Sequence, residues 1–577
     1  MQYKQDNNAN QFQIIYPQRN KPYSQDNKQN TLPKLKHYLQ EVEQNNGVLN
    51  KIKEQGIKFA DKINNYFQVL SPQIKNHNEY LDMKLKYNDD EQLIQKQNTQ
   101  QRNQKSYDLL SSIVFEIRSL RSICKLSNQQ SQYLPGMISI KTKESQIGLN
   151  ERSIGVDLIC LIDKSGSMRG EKIKMVKKTL ILLLDFLGEQ DRLQIITFNE
   201  QAQRLTPLKC LTEKNKQYFQ SIISQIQPRG LTKISSATHI AFKQLDDKLY
   251  RNNVSSIFLL SDGQDREALF EISNQIKHIK QVFTLYTFGF GEDYDAQLMT
   301  SICKLKNGYF YFVKDITLLD EYFAHAIGEI VSVIAEQIQI NISSISIKPM
   351  QDLQISKTYG NMWKQRGHIY DINIPQLASG TRKDFVFEIQ IPQIDSKILD
   401  HERVVKVLEA SLSMKDPISG EIIKKSAALN LTLFNQDENV DVIEECTDVY
   451  SQYLRVKSTE TIDNAKQACD QNNFVEAQRL LDNMMIQIQK NNHKVVQKCT
   501  GIIQDINQAK QASQKIQYNT FGSKQLCQMI VNNYAQGGIN SIFSFDGKQL
   551  QQLKSSQFLN LTQQTMIKIV QTKKAQY

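Results

Sequence analysis

Apolar residues recur every three or four positions from Leu35 onward. Leu35, Tyr38, Val42, Leu49, Ile52, Phe59, Ile63, Tyr66 and Leu70 keep this spacing, with Asn45 and Gly56 in the same register. The pattern predicts an amphipathic helix over 35–70, able to form a coiled coil and self-associate, or to fold back on a neighbour. Gly47 and Gly56 argue against one straight rod. A second stripe, Leu109, Leu110, Ile113, Val114, Ile117, Leu120 and Ile123, predicts a further helix, so that 35–130 reads as a helical region with a polar linker at 86–105. Ahead of it, residues 1–34 are rich in Gln and Asn and lack an aliphatic pattern, the composition of a disordered tail.

The pattern changes at residue 137. MISIKTK (137–143) reads as a strand and VDLICLI (156–162) as a fully buried one; RLQIITF (192–198), SSIFLLS (255–261), VFTLYTF (282–288) and YFYFV (309–313) follow. Helical stretches near 171–187, 213–226, 235–249, 267–279, 295–304 and 317–334 separate them. Apolar strands alternating with amphipathic helices predict a doubly wound α/β domain over 137–335, its parallel sheet covered on both faces. AQRLTPL (202–208) follows its predecessor too closely for a helical crossover and reads as an antiparallel edge strand. From 336 to 436 the strands IQINISSISI, HIYDINI, DFVFEIQI, VVKVLEASLSM and AALNLTLF predict an antiparallel β-sandwich. Residues 440–517 are helical again, with a helical hairpin around 465–484, and 518–577 reads as a partly helical C-terminal tail without an assignable role.

Composition narrows the class. The formal charge of +11 is concentrated at one end, since residues 1–150 hold 21 Lys and Arg against 14 Asp and Glu. A weakly basic region of this kind can meet nucleic acid or a membrane surface, but it contains no dense Lys/Arg block. The eight cysteines include no C-x-x-C pair, against a zinc ribbon, a RING finger or a disulfide framework. Without an apolar leader or a run long enough to span a membrane, the expected setting is the reducing cytoplasm, where the sequons at Asn253, Asn341, Asn430 and Asn560 carry no sugar.

Candidate chemistry gathers at one sheet edge. The loop LIDKSGSMRG places Asp163, Ser165 and Ser167 directly after a buried strand, at the carboxyl end where open α/β sheets bind ligands. RGLTKI (229–234) brings Thr232 to the same edge and LLSDGQD (259–265) brings Asp262. Capping of the helix at 171–187 is the plainer role for Asp163 and the serines; it would leave Thr232 and Asp262 unexplained. In this order and context the five residues resemble the metal-ion-dependent adhesion site of von Willebrand factor A (VWA) domains, with Leu231 in place of the second glycine of the usual Gly-Gly-Thr. The resemblance implies that Ser165, Ser167 and Thr232 offer hydroxyl oxygens to one divalent ion, with Asp163 and Asp262 often acting through waters. An all-oxygen, six-coordinate site suits Mg²⁺ or Mn²⁺, and neutral direct ligands leave charge to attract an Asp or Glu carboxylate of a partner protein.

TFGFGEDYDAQLM (287–299), GYFYFV (308–313), YFAHAIGEIVSVIAEQ (322–337) and SGTRKDFVFEIQIP (379–392) extend the resemblance over about 137–520, to intracellular VWA proteins that continue into a β-sandwich. Plant members of that group carry a RING finger and act as ubiquitin ligases. Only Cys124 precedes the VWA region here, so the ligase activity is not expected to transfer. The fold class expected is therefore a Rossmann-like VWA domain followed by an antiparallel β-sandwich, with helical N- and C-terminal regions. No catalytic group is expected, because the eight histidines are scattered and no phosphate-cradling G-x-x-x-x-G-K-[ST] loop occurs. His239, near the metal edge, stands out only by its position. Three functions remain: a scaffold that binds an acidic partner through its metal, a ubiquitin-pathway component without its own RING, or a nucleic-acid or membrane-surface scaffold acting through the basic N-terminal region.

Overall fold

The computed structural model describes residues 93, 109–127, 129–144, 154–262, 264–291, 294–345, 353–393, 403–435, 438–440, 443–537 and 558–575, all within the compact unit Met83–Tyr577. The tail expected at 1–34 and the helix expected at 35–70 lie outside these residues.

Residues 109–123 correct the sequence reading. Only one turn, Leu109–Ser112, is helical; the rest forms strands β1 (Ile113–Ser119) and β2 (Ile123–Lys125), followed by β3 (Gln132–Thr142). Residues four apart share a face in a strand as well as in a helix, and Ile113 and Ile117 are both buried. The β-branched and aromatic run IVFEI decides for the strand once β3 pairs with it along its length.

The next strands are β4 (Val156–Asp163), β5 (Arg192–Phe198), β6 (Ala202–Arg204), β7 (Lys209–Cys210), β8 (Val254–Ser261), β9 (Thr284–Phe290) and β10 (Phe310–Val313). Their sheet has the order β10-β9-β8-β4-β5-β6; it is parallel from β10 to β5, and β6 and β7 pair antiparallel with β5. Every residue of β4, β5, β8, β9 and β10 is buried, as a sheet covered on both faces requires. The helices are α1 (Glu171–Phe186), α2 (Glu213–Ser224), α3 (Ile234–Asp247), α4 (Ala268–Ile276), α5 (Ala296–Lys304) and α6 (Leu319–Val331). In α1, Ile173, Val176, Leu180, Leu183 and Leu184 make the buried stripe, and with α6 it covers one face of the sheet.

The sandwich contains β11 (Val333–Ser344), β12 (Gln354–Thr358), β13 (Trp363–Arg366), β14 (Ile369–Ala378), β15 (Arg382–Ile391), β16 (Val404–Lys415) and β17 (Ile422–Phe434). One sheet runs β1-β3-β15-β12 and the other β13-β14-β11-β16-β17-β2; every pairing is antiparallel except β17 with β2. The strand read as the opening of the α/β domain, β3, therefore belongs to the sandwich: Gln132–Thr142 pairs with β15 from Gln132↔Ile391 to Lys141↔Arg382. The α/β domain enters the chain between β3 and β11, two strands of the same sandwich.

The C-terminal helices complete the molecule. α7 (Thr447–Asp470) and α8 (Phe474–Gln489) form the expected hairpin, turned at Asn472 with φ 61° and capped by Asn473 on the Glu476 N–H. They share a core with α9 (Thr500–Ala512) and α10 (Ser523–Ala535). A final helix, α11 (Leu561–Ala575), packs Met566, Ile567 and Val570 into the core of the α/β domain beside α6. Among the described residues no helix is long and apolar enough to cross a membrane.

Candidate metal centre

β4 delivers Asp163 to the carboxyl edge of the parallel sheet, and the chain turns at once through a short 3-10 segment, Gly166–Met168. The Ser165 N–H donates to Asp163 Oδ1 at 2.8 Å, which folds the loop back on the carboxylate. Ser261, the last residue of β8, donates its hydroxyl to Asp163 Oδ2 at 2.5 Å. Burial pushes the Asp163 carboxyl up to about 6, with the negative charge of Asp262 adding to it and the Ser261 and Ser165 hydrogen bonds opposing it. Ser165 Oγ lies 2.9 Å from Ser167 Oγ, and Ser167 Oγ donates to Asp262 Oδ1 at 2.6 Å. Two loops thus bring Asp163, Ser165, Ser167 and Asp262 into one hydrogen-bonded cluster.

The third loop is tied to the first through backbone. The Gly166 N–H donates to the Gly230 carbonyl at 2.8 Å and the Arg229 N–H to the Lys164 carbonyl at 2.6 Å. Glu200 accepts from the Leu231 N–H at 2.8 Å. Gly230, with φ +81°, lies so close to Glu200 that a Cβ there would stand 2.3 Å from the carboxylate. These contacts hold the backbone of Arg229, Gly230 and Leu231 against the serine loop. The Leu231 side chain stands out in water, 74% exposed, and half-buried Thr232 follows it without a hydrogen bond, among the described residues, that joins it to the serine–aspartate cluster.

Helix capping does not account for the cluster. The N-cap of α1 is Gly170, at φ 80°, and no side chain caps it. His239 is half-buried in the second turn of α3.

Two participants escaped sequence reasoning. Ser261 holds Asp163, and Lys172, in the first turn of α1, pairs its ammonium with Asp262 Oδ2. The apolar run of β8 hides the first, and nothing in the spacing of LIDKSGSMRGEK marks the second.

The donor set is carboxylate and hydroxyl oxygen, chemistry that fits a hard cation such as Mg²⁺ or Mn²⁺. Because Ser167 gives its proton to Asp262, it accepts from Ser165 with one lone pair and has the other available for a cation. The raised Asp163 marks a buried negative charge that a divalent ion would compensate. Among the described residues no group of three His, Cys, Asp or Glu side chains converges, so a metal held here has to use hydroxyls.

Comparison with known proteins identifies the domain that carries these loops. The family described as von Willebrand factor type A domain matches residues 157–325. E3 ubiquitin-protein ligase WAV3 of Arabidopsis thaliana is 27% identical over 281 residues, 46% of this chain and 34% of that protein. E3 ubiquitin-protein ligase WAVH1 of the same plant is 32% identical over 125 residues, 20% of this chain and 18% of that protein. The chain thus spans about a third or less of the length of these relatives. The solved structure of a von Willebrand factor type A protein from Catenulispora acidiphila superposes with a TM-score of 0.56 at 13% identity, covering 74% of this chain and 98% of that one. Residues 157–325 are a von Willebrand factor type A domain, carried by a chain that resembles these plant ligases in the region they share.

Proposed function

We propose that this protein is a metal-dependent protein-binding scaffold of the cytoplasm. Ser165, Ser167 and Thr232 hold one Mg²⁺ or Mn²⁺, Asp163 and Asp262 orient the serines and balance the charge, and the ion captures an Asp or Glu carboxylate of a partner protein. The observation that carries this reading is the hydrogen-bonded Ser165–Ser167–Asp262 cluster beside the buried carboxyl of Asp163. The metal supplies a positive centre with an open position; the chain's own residues fix where that position points.

Calorimetric titration of the full chain with Mn²⁺ tests it. One site is expected in the wild type and none in Asp163→Ala or Asp262→Ala, and Mg²⁺ is expected to raise the melting temperature of the wild type alone. Equal uptake by all three proteins would remove the assignment. Pull-downs from lysate with Mg²⁺ and with EDTA then identify the partner.

A ubiquitin-pathway role is the second reading, favoured by the likeness to WAV3 over 281 residues. In it the domain recruits an acidic substrate to a ligase on another chain. It requires ubiquitylation of the captured partner to depend on Asp262 and on an added ligase.

A further inference from the structure

Both oxygens of Asp262 are engaged. Oδ1 accepts from Ser167 and Oδ2 pairs with the Lys172 ammonium. The Asp262 side chain is fully buried, whereas that of Lys172 keeps 34% of its surface in water, so only the lysine can withdraw. Its path is also shaped by the fold. Lys172 crosses the backbone of Gly291, where φ is +83° and a Cβ would stand 3.1 Å from the ammonium. A side chain at residue 291 would press the end of the lysine aside by a few tenths of an ångström.

We propose that Lys172 is a tethered counter-cation of the metal site: it shares Asp262 with the incoming ion, weakens the ion's hold, and makes firm metal binding depend on an anionic ligand. This rests on the metal-site reading above and adds how the site is regulated. Asp163, Asp262 and Lys172 together carry one negative charge. A divalent ion converts this to one positive charge, which a single partner carboxylate neutralises. Without the lysine, the ion and the two aspartates cancel, and the carboxylate loses its electrostatic incentive. Lys172 thus links occupancy of the metal to the presence of a partner, and the linkage is reciprocal.

The test uses the full chain at pH 8, titrated with Mn²⁺ alone and in acetate as the carboxylate probe. In the wild type, acetate is expected to tighten Mn²⁺ binding several-fold. Lys172→Met should bind Mn²⁺ alone about tenfold more tightly, the size of effect expected from removing one partly exposed charge beside a divalent ion, and should lose most of the acetate effect. Lys172→Gln should repeat this, and Lys172→Arg, which keeps the charge, should restore wild-type behaviour. Uptake by Lys172→Met but not by the wild type would support the proposal in stronger form. If Lys172→Met binds Mn²⁺ no better than the wild type while Asp262→Ala abolishes binding, the lysine merely orients Asp262 and the proposal is wrong. If none of these proteins takes up Mn²⁺, the metal-site reading falls and the proposal with it.

Discussion

His325, in the middle of α6, is buried and has its tautomer set by its neighbours. Gln563 Oε1 accepts from the Asn560 N–H at 3.0 Å, so the Gln563 amide nitrogen must face His325, 3.3 Å from Nε2. Nε2 is then the acceptor, and Nδ1 carries the proton toward the Tyr311 hydroxyl 3.0 Å away. Burial, and then the charge of Lys383, hold the imidazole down at about 3. Because folding excludes the proton, the contribution is complete above the ordinary value of 6.5 and is lost as pH falls from there toward 3. Between pH 6.5 and pH 5 the wild type should lose about 2 kcal/mol more stability than His325→Gln in urea unfolding. Parallel pH profiles for the two proteins would count against a neutral buried imidazole. Legibility at this scale follows locality. Asp163, Ser165 and Ser167 alternate along one loop after a buried strand, and Asp262 ends another, so their meeting point could be read from the sequence. The partner of Lys172 depends on which loop faces α1 after closure, which spacing does not encode. Asn560, one of the sequon asparagines, is buried and donates to the Ser332 hydroxyl at 2.9 Å, consistent with a chance sequon.

Between elements, contacts absent from the pattern of apolar positions hold the VWA domain in place. α10 lies along the edge strand β10, where Gln528 accepts from the Phe312 N–H at 2.5 Å and Asn532 donates to the Phe310 carbonyl at 3.1 Å, so amide side chains stand in for a further strand. One turn later Gln536 accepts from the Asp384 N–H and donates to its carbonyl, joining the same helix to sandwich strand β15. α11 approaches α6 at Gly328, where a Cβ would stand 2.7 Å from Gln563 Cα. Gly328→Val should therefore force the two helices apart and cost about 1–3 kcal/mol, read as a lower urea midpoint. An unchanged midpoint would show that the close approach contributes nothing. These helices occupy much of the stretch for which sequence reasoning found no role, because a glycine or glutamine at a helix contact looks like any other until its neighbour is known. The misread stripe at 109–123 has the same origin: four-residue spacing fits both periods, and only the distant partner strands choose between them.

The path of the chain through the whole molecule was the least legible part, since β3 finds β15 about 245 residues away, with Ser139 and Asp384 paired in register. Once the VWA domain is seen to sit between β3 and β11, its independence becomes doubtful on physical grounds. Its last helix ends at Val331 and β11 starts at Val333; the one residue between, Ser332, accepts from the Ser379 N–H of the sandwich at 2.8 Å. Lys383, on β15, donates to the VWA residue Tyr309 at 2.9 Å and to the Ala535 carbonyl of α10 at 2.7 Å. At this junction a single residue separates the two parts, and side-chain bonds cross between them, so they should unfold as one cooperative unit. The chain provides its own reporter, because its single tryptophan, Trp363, is in the sandwich. There it packs edge-on to Tyr370, Phe385 and Phe387 and donates to the Tyr359 carbonyl at 3.0 Å. Its fluorescence should report unfolding at the same urea concentration as far-UV circular dichroism of the whole chain. A ligand that binds only the folded VWA domain then stabilises both parts, so saturating Mn²⁺ should move the Trp363 transition to higher urea although the tryptophan is in the sandwich. Asp262→Ala should remove that shift while leaving the two probes coincident. Two separate transitions, with Trp363 unfolding at a midpoint indifferent to Mn²⁺ in a protein that binds the ion, would mean that the joint transmits nothing and that metal occupancy is felt by the VWA domain alone.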